Sequence, residues 1–463
     1  MRLIAVVFSE GYLLPGEHFF FFEPENLLLK SEKYLTTQSQ LYALFGEYFN
    51  RGMAWLTVKE PQTQALILRF IHALLNIVSL VIGYRLARLA GSEKGARLSF
   101  ALLGLSWLMP FISVRTYSFN LALPFLLGAV WLARHSLLAA RRTSFLAGWV
   151  AALAIMLYPP VLVFWIPYVL LTFLLGKPIR FLGLALTTLL GLELLNWLVS
   201  GKWLIHSVDW MVLLHQTGIR LWDINAFALK ALLILGLVLG PPLGFLVLYG
   251  FLRIQKYTIR MSLPALVCLV STVFSSDPLG MLVAAFPFIV ITGSQSWMDI
   301  VQHRMPASRK GWYYLAVGYF WTFNTILLVW FSTVSPRKQE LEAMRYLGRH
   351  ADYQLVWVEQ SSQSGLEPLP SFYCGRDIKF IYQRNLSSDT LFQLSNDTMH
   401  KVACVIFRGD ENLKSRITRT YSLFPALSFE AIFKPGPTEK YFRKWMHLSS
   451  GTLVLYHNDY FKK

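Results

Sequence analysis

The chain is a succession of apolar stretches separated by short loops, and every second loop is rich in Lys and Arg. Crossing about 30 Å of hydrocarbon takes roughly 20 helical residues. Lipid offers backbone groups no partner, so segments of this kind are helices that bond internally. Such stretches lie near 64–84, 98–114, 117–133, 144–158, 160–176, 181–200, 226–252, 261–275, 279–298 and 312–334. The pattern predicts a mainly α fold, a polytopic transmembrane bundle of about ten or eleven spans. Proline at Tyr158-Pro159-Pro160 removes backbone donors, so that region is either one broken helix or the junction of two spans.

The basic loops carry Arg85, Arg88, Lys94 and Arg97; Arg134, Arg141 and Arg142; Lys177 and Arg180; Arg253, Lys256 and Arg260; and Arg304, Arg309 and Lys310. The intervening loops hold only Arg115, Lys202 and Arg220, apart from the longer segment 10–62. Basic residues stay cytoplasmic, so segment 10–62, the loop 201–225, the loop 275–279 and the C-terminal region are placed on the non-cytoplasmic side. A formal net charge of +17 would suggest nucleic acid in a soluble protein, but this chain is 55% hydrophobic and only 15% charged. The charge is read as topology: the partner is the lipid bilayer, and no nucleic acid is expected. The apolar start, Met1 to Ser9, is too short to span. Delivery of segment 10–62 to the outer side favours a start lying further upstream over a partial helix.

The character changes after Trp330, which divides the chain into a transmembrane module, 1–335, and a soluble extracytoplasmic domain, 336–463. A helical period from Pro336 to His350 is followed by β-like runs at Gln354–Val358, Ile378–Tyr382, Val402–Phe407, Leu427–Phe433 and Thr452–Tyr456. With a helical segment at Ser388–Leu394, this reads as a small α/β domain. Asn385-Leu386-Ser387 and Asn396-Asp397-Thr398 are glycosylation sequons, meaningful only if this side is an ER lumen. Of three cysteines, Cys268 lies in an apolar run, leaving Cys374 and Cys404 as the one pair that could form a disulfide.

Chemistry concentrates in Ser9-Glu10-Gly11-Tyr12-Leu13-Leu14-Pro15-Gly16-Glu17-His18-Phe19-Phe20-Phe21-Phe22-Glu23-Pro24. Carboxylates and a histidine stand among aromatics beside the membrane, where partial desolvation raises a carboxylate toward a useful proton affinity. The bland alternative is an interfacial amphipathic helix with Phe in the headgroups. On the outer loop between spans, Lys202, His206, His215 and Arg220 form a second polar group, read as a phosphate or sugar contact or as a solvated loop. Asp277 is either an acidic ligand or a turn residue before Pro278.

The first of these segments resembles the first extracytoplasmic loop of GT-C glycosyltransferases, in particular the family 22 α-mannosyltransferases, whose loop reads approximately Ser-Glu-Gly-Tyr-x-His-Pro-Asp-Glu-x-Phe-Gln-x-x-Glu. Ser9, Glu10, Gly11, Tyr12, Pro15, Glu17, Phe19 and Glu23 keep that register, while Leu14, Gly16 and Phe20 replace its His, Asp and Gln. Arg115-Thr116-Tyr117-Ser118 is similar to the family's Arg-Thr-x-Ser motif, and Asn196 with Gly201-Lys202-Trp203 to its Asp-x-x-x-Tyr-Gly-Lys-Trp stretch. The likeness covers roughly residues 1–300. It implies transfer of a sugar, mannose-like, from a polyprenyl-phosphate donor to a glycan or lipid acceptor on the outer face of a bacterial cytoplasmic membrane, or of the ER. Glu17 is the implied base. Glu23, His18, Arg115, Lys202, His206, His215 and Arg220 are the implied substrate and donor contacts. No cofactor is implied, and a divalent metal is left open. Two further motifs depart: the arginine after the fourth or fifth span is replaced around Leu157-Tyr158, and the late Lys-Glu-x-Arg-Phe motif by Gly280-Met281-Leu282-Val283-Ala284. A catalytically silent homologue that binds lipid or a partner is therefore the second reading.

The alternation of basic loops carries its own test. Single cysteines placed at 134–142 should resist an impermeant thiol reagent in intact cells, and those in 336–463 should react. Labelling of the 134–142 loop from outside would overturn the orientation.

Overall fold

The computed structural model describes residues 2–12, 18, 22–23, 40–138, 142–175, 177–201, 243–253, 258–275, 277–303, 305–350, 352–360, 368–384, 401–409, 412–421, 426–436 and 451–459. They form two compact units. The first comprises residues 1–9, 32–48 and 68–333; the second comprises 10–31, 49–67 and 334–463. Segments 10–31 and 49–67 thus belong to the unit that holds the C-terminal domain.

The helices follow the apolar pattern closely. They are α1 (Arg2–Phe8), α2 (Gln40–Trp55), α3 (Pro61–Ala90), α4 (Glu93–Leu105), α5 (Leu108–Ser113), α6 (Ser118–Leu138), α7 (Arg142–Leu157), α8 (Leu162–Leu174), α9 (Pro178–Ser200), α10 (Leu243–Leu252), α11 (Ile259–Ser271), α12 (Pro278–His303) and α13 (Ala307–Thr333). Among the described residues, four of these are long and apolar enough to cross a membrane: α3, α9, α12 and α13. Several others are shorter because the chain breaks. The stretch predicted at 98–114 is α4 followed by α5, and the Pro159–Val161 turn separates α7 from α8. Residues 202–242, which contain the start of the predicted span 226–252, lie outside the described residues.

Helix ends follow local chemistry. The Ser92 side chain caps α4 by accepting from the Gly95 N–H at 3.1 Å. Gly201, with φ of 70°, ends α9 in the left-handed region that glycine enters without penalty. The break after α4 leaves carbonyls that lipid cannot satisfy. Arg2 covers them, donating to Leu103 O at 3.1 Å and Gly104 O at 3.3 Å, and is held by Asn76 Oδ1 at 2.8 Å. Helix α12 is the axis of the first unit: Pro278 through Met298 are all buried, with α4, α10 and α11 packed on it. Large apolar side chains on α3, α9 and α13, such as Phe70, Leu190 and Trp312, remain exposed, as lipid-facing positions should.

In the second unit, α14 (Lys338–Arg349) covers a five-stranded sheet of order β2-β1-β3-β5-β4. The strands are β1 (Leu355–Gln360), β2 (Lys379–Arg384), β3 (Cys404–Arg408), β4 (Leu427–Phe433) and β5 (Leu453–Asn458), with α15 (Leu413–Tyr421) between β3 and β4. β2, β1 and β3 are parallel; β5 is antiparallel to β3 and β4. All five predicted strands are present within one or two residues. Helix α15 was not predicted: its apolar face is thin, with Leu413 and Ile417 against the sheet. Ser388–Leu394 lies outside the described residues. Cys374 and Cys404 are both free and buried in one core, correcting the suggested disulfide. Cys374 turns its sulfur toward Met344 instead, at 3.8 Å.

Gln295 of α12 fastens the turn between α3 and α4. Its Oε1 accepts from Ser92 N at 2.8 Å, and its Nε2 donates to Ala87 O at 2.7 Å and Ser92 O at 3.1 Å. Gln295→Leu should destabilise the bundle by about 1–2 kcal/mol, seen as earlier unfolding in a detergent titration. An unchanged transition would show that the clamp contributes nothing.

Candidate functional site

Of the described residues in the first-loop motif, Ser9 lies in the first unit. Its hydroxyl accepts from Arg115 Nη2 at 2.6 Å, and its carbonyl faces Arg115 Nη1 and Arg69 Nη1, each at 3.4 Å. Both guanidinium groups are buried. Arg115 sits in the turn after α5, over the Phe111 ring at 4.7 Å. Asn120 fixes that turn by donating to Ile112 O at 2.7 Å and to Arg115 O at 2.8 Å. Two residues beyond Arg115, Tyr117 hydrogen-bonds the carboxylate of Asp277.

Asp277 is a helix cap, and more. Its Oδ1 accepts from the Gly280 N–H at 3.0 Å, opening α12, while its Oδ2 accepts from Tyr158 at 2.8 Å. A side chain at 280 has no room: a Cβ would lie 2.0 Å from the Tyr158 hydroxyl and 2.4 Å from Asp277 Oδ2. The two positions where charged family motifs are absent, Tyr158 and Gly280, are therefore in contact. Their combined product is a phenol–carboxyl pair.

In the second unit, Glu10 pairs with Arg345 of α14 at 2.7 Å. Gly11 has φ of 88°, and a Cβ on it would meet Pro336 O at 1.9 Å, so glycine is required twice over. Tyr12 donates to Glu340 Oε2 at 2.6 Å and lies under the Arg337 guanidinium, 4.9 Å from the ring centre. Arg408 at the end of β3 donates to Glu340 Oε1 at 2.5 Å. Burial and the Glu340 carboxylate push the Tyr12 phenol well above its ordinary value.

His18 and Glu23 are brought together, with His18 Nε2 3.0 Å from Glu23 Oε1. The imidazole stacks between Tyr12 and Tyr373, at 5.2 and 5.3 Å between ring centres. Ser371 donates to Glu23 Oε2 at 2.5 Å and the Phe372 N–H to Oε1 at 2.6 Å. Burial works against the Glu23 charge, yet the bonds from His18, Ser371 and Phe372 outweigh it and hold the carboxyl below its usual range. Glu23 in this arrangement is a fastener of the first loop, suited to hold position and not to accept a proton. Glu17, Lys202, His206, His215 and Arg220 lie outside the described residues. Among the described residues, no three His, Cys, Asp or Glu side chains are placed to hold a metal ion. Sequence reasoning missed Arg69, Glu340, Arg337 and Arg408. For Arg69 and Arg408 the one visible signal was a charge inside an otherwise apolar or strand-like run; Arg337 and Glu340 stand among other charges where α14 begins.

Residues 1–205 match the Alg9-like mannosyltransferase family. ArnT from Cupriavidus metallidurans, solved with undecaprenyl phosphate, superimposes with a TM-score of 0.58 at 13% identity, over 100% of this chain and 97% of that one. The chain shares the fold of that membrane protein. The archaeal oligosaccharyltransferase AglB from Archaeoglobus fulgidus, solved with an inhibitory peptide and a dolichol-phosphate, gives a TM-score of 0.51 at 11% identity, covering 97% of this chain and 71% of its own. At these identities the likeness to solved structures establishes the fold. No curated protein matches the chain by sequence. In this chain the segment Ser9–Tyr12 is divided between the two units: Ser9 belongs to the helical one, and Glu10 to Tyr12 to the other.

Glu23 carries a pH test. Its pKa is lowered on folding, so its contribution is complete above the unfolded value near 4.5 and is lost as pH falls through the folded value. Glu23→Gln should cost about 1–2 kcal/mol at pH 7, and the gap from wild type should close below about pH 4.5. Thermal unfolding between pH 3 and 7 measures this. A gap independent of pH would show that the charge on Glu23 is not what fastens the loop.

Proposed function

We propose that this chain transfers a sugar, mannose-like, from a polyprenyl-phosphate carrier to a glycan or lipid acceptor on the non-cytoplasmic face of its membrane. The observation that carries this reading is the match of residues 1–205 to a mannosyltransferase family on a GT-C fold. ArnT and AglB were solved with polyprenyl-type phosphates, which supports a donor of that class here. In the proposed reaction the Glu17 carboxylate takes the proton of the acceptor hydroxyl. The freed oxygen attacks the anomeric carbon with inversion, and the bond from that carbon to the phosphate oxygen breaks. The departing lipid phosphate takes up the electron pair, and cationic neighbours such as Arg115 and Lys202 stabilise its growing charge. Lys202, His206, His215 and Arg220 supply the remaining donor contacts, and His18 and Glu23 position the loop that carries Glu17.

A second reading, a silent homologue that binds lipid or a partner, is favoured by one observation. Tyr158, Asp277 and Gly280 form a closed, hydrogen-bonded group at the positions where the family's charged motifs are absent. A charged contact to phosphate contributes about 1.5–3 kcal/mol, so an active enzyme must draw its cations from elsewhere.

Reconstituted protein supplied with a polyprenyl-phosphate-mannose and a membrane lipid extract should release free lipid phosphate and glycosylate the extract. Glu17→Gln should slow transfer by about 100-fold or more, leaving donor binding intact. Full activity in Glu17→Gln would remove Glu17 as the base. Donor binding by wild type without any transfer would favour the silent homologue.

A further inference from the structure

A second polar cluster sits in the second unit, on the sheet face that α14 covers, and the proposed reaction makes no use of it. Its centre is Glu430, at the point where β4 slips register between Phe429 and Ala431 against β5. Bulges of this kind re-aim one side chain and recur beside functional sites. Tyr346 at the end of α14 donates to Glu430 Oε1 at 2.8 Å, and Tyr353 reaches both carboxylate oxygens at 2.6 Å. The Tyr353 hydroxyl also lies 3.3 Å from His457 Nδ1 on β5.

Rings surround this carboxylate in an unbroken series. Phe433 meets Tyr346 edge-on at 5.8 Å, Tyr346 lies 4.5 Å from His350, His350 stacks on Tyr353 at 5.3 Å, and Tyr353 lies 5.8 Å from His457. Tyr346, His350, Glu430, Phe433 and His457 are all half-buried, so the group opens to solvent while its floor is packed. Burial and the Glu430 carboxylate push the Tyr346 phenol up to about 12, so it stays a donor at any ordinary pH.

A carboxylate offers about four acceptor positions. The two phenols supply two protons, which leaves Glu430 with acceptor capacity toward solvent. Half-exposed aromatic faces around an acceptor of this kind suit a ligand with apolar C–H faces and hydroxyl edges, which is a sugar ring. We propose that Tyr346, His350, Phe433, Glu430 and His457 form a carbohydrate-binding subsite for the glycan part of the acceptor. The assignment to the acceptor rests on the transferase reading; the carbohydrate site itself does not.

The test uses the full chain in nanodiscs with α-1,6-mannobiose as probe, and choline as an organic cation without a sugar ring. In wild type, mannobiose at about 10 mM, enough to reveal millimolar affinity, should shift the ring signals of His350 and His457, and choline should not. Phe433→Leu, which stays apolar but loses the ring face, and Glu430→Gln, which keeps its shape but loses the charge, should each weaken mannobiose binding about tenfold. Histidine signals unmoved by mannobiose, or moved by choline alone, would overturn the proposal, as would undiminished binding in both variants. Sugar binding that persists while wild type shows no transfer would overturn the transferase reading and keep the subsite. Transfer without any histidine shift would overturn the subsite alone.

Discussion

Glu340 is a carboxylate almost sealed from water, and the second unit is organised around keeping it paired. Arg408 comes to it from the sheet, Arg337 from the entry to α14 and Tyr12 from the first loop. Removing one partner of such a buried group typically costs about 3–5 kcal/mol, because the remaining charge is left without water or a counter-charge. The cluster therefore fixes three chain segments at once. It holds Arg337 in the left-handed region at φ 55°, a conformation a large side chain seldom adopts unaided. It also explains the neighbouring Gly11, which passes against Pro336 with no room for a side chain.

Beyond Tyr12, His18 and Glu23 are anchored in turn. His18 inserts between Tyr12 and Tyr373, Glu23 bonds His18, and Ser371 with Phe372 bonds Glu23. The proposed role of Glu17 as base would gain from such anchoring, since a base must meet its proton within hydrogen-bond reach. The anchors stand on both sides of Glu17 in sequence.

The helical unit uses the same device with different partners. Arg115 and Arg69 hold Ser9, and Asp277 ties Tyr158 and Tyr117 to the start of α12. Arg2 plugs the break between α4 and α5. Each polar side chain serves backbone groups or helix ends that lipid would leave unsatisfied. Polar residues in these apolar runs thus have structural work as well as any part in donor recognition.

Sequence by itself determined the membrane class, the placement of the long apolar helices and all five strands. Those depend on hydrophobic periodicity and length, which are local properties. It also singled out the segment Ser9 to Glu23, which gathers charge and aromatics in one short span. Tertiary structure alone decided what those residues touch. Glu340, Arg337 and Arg408 lie more than 300 residues from Tyr12, and no periodicity links them. The contact between Tyr158 and Gly280 could not be read from two isolated departures, since only folding shows that they share one hydrogen-bonded group with Asp277. The bulge that aims Glu430 at Tyr346 and Tyr353 was equally hidden: register is a property of two strands together, and one strand's sequence does not contain it.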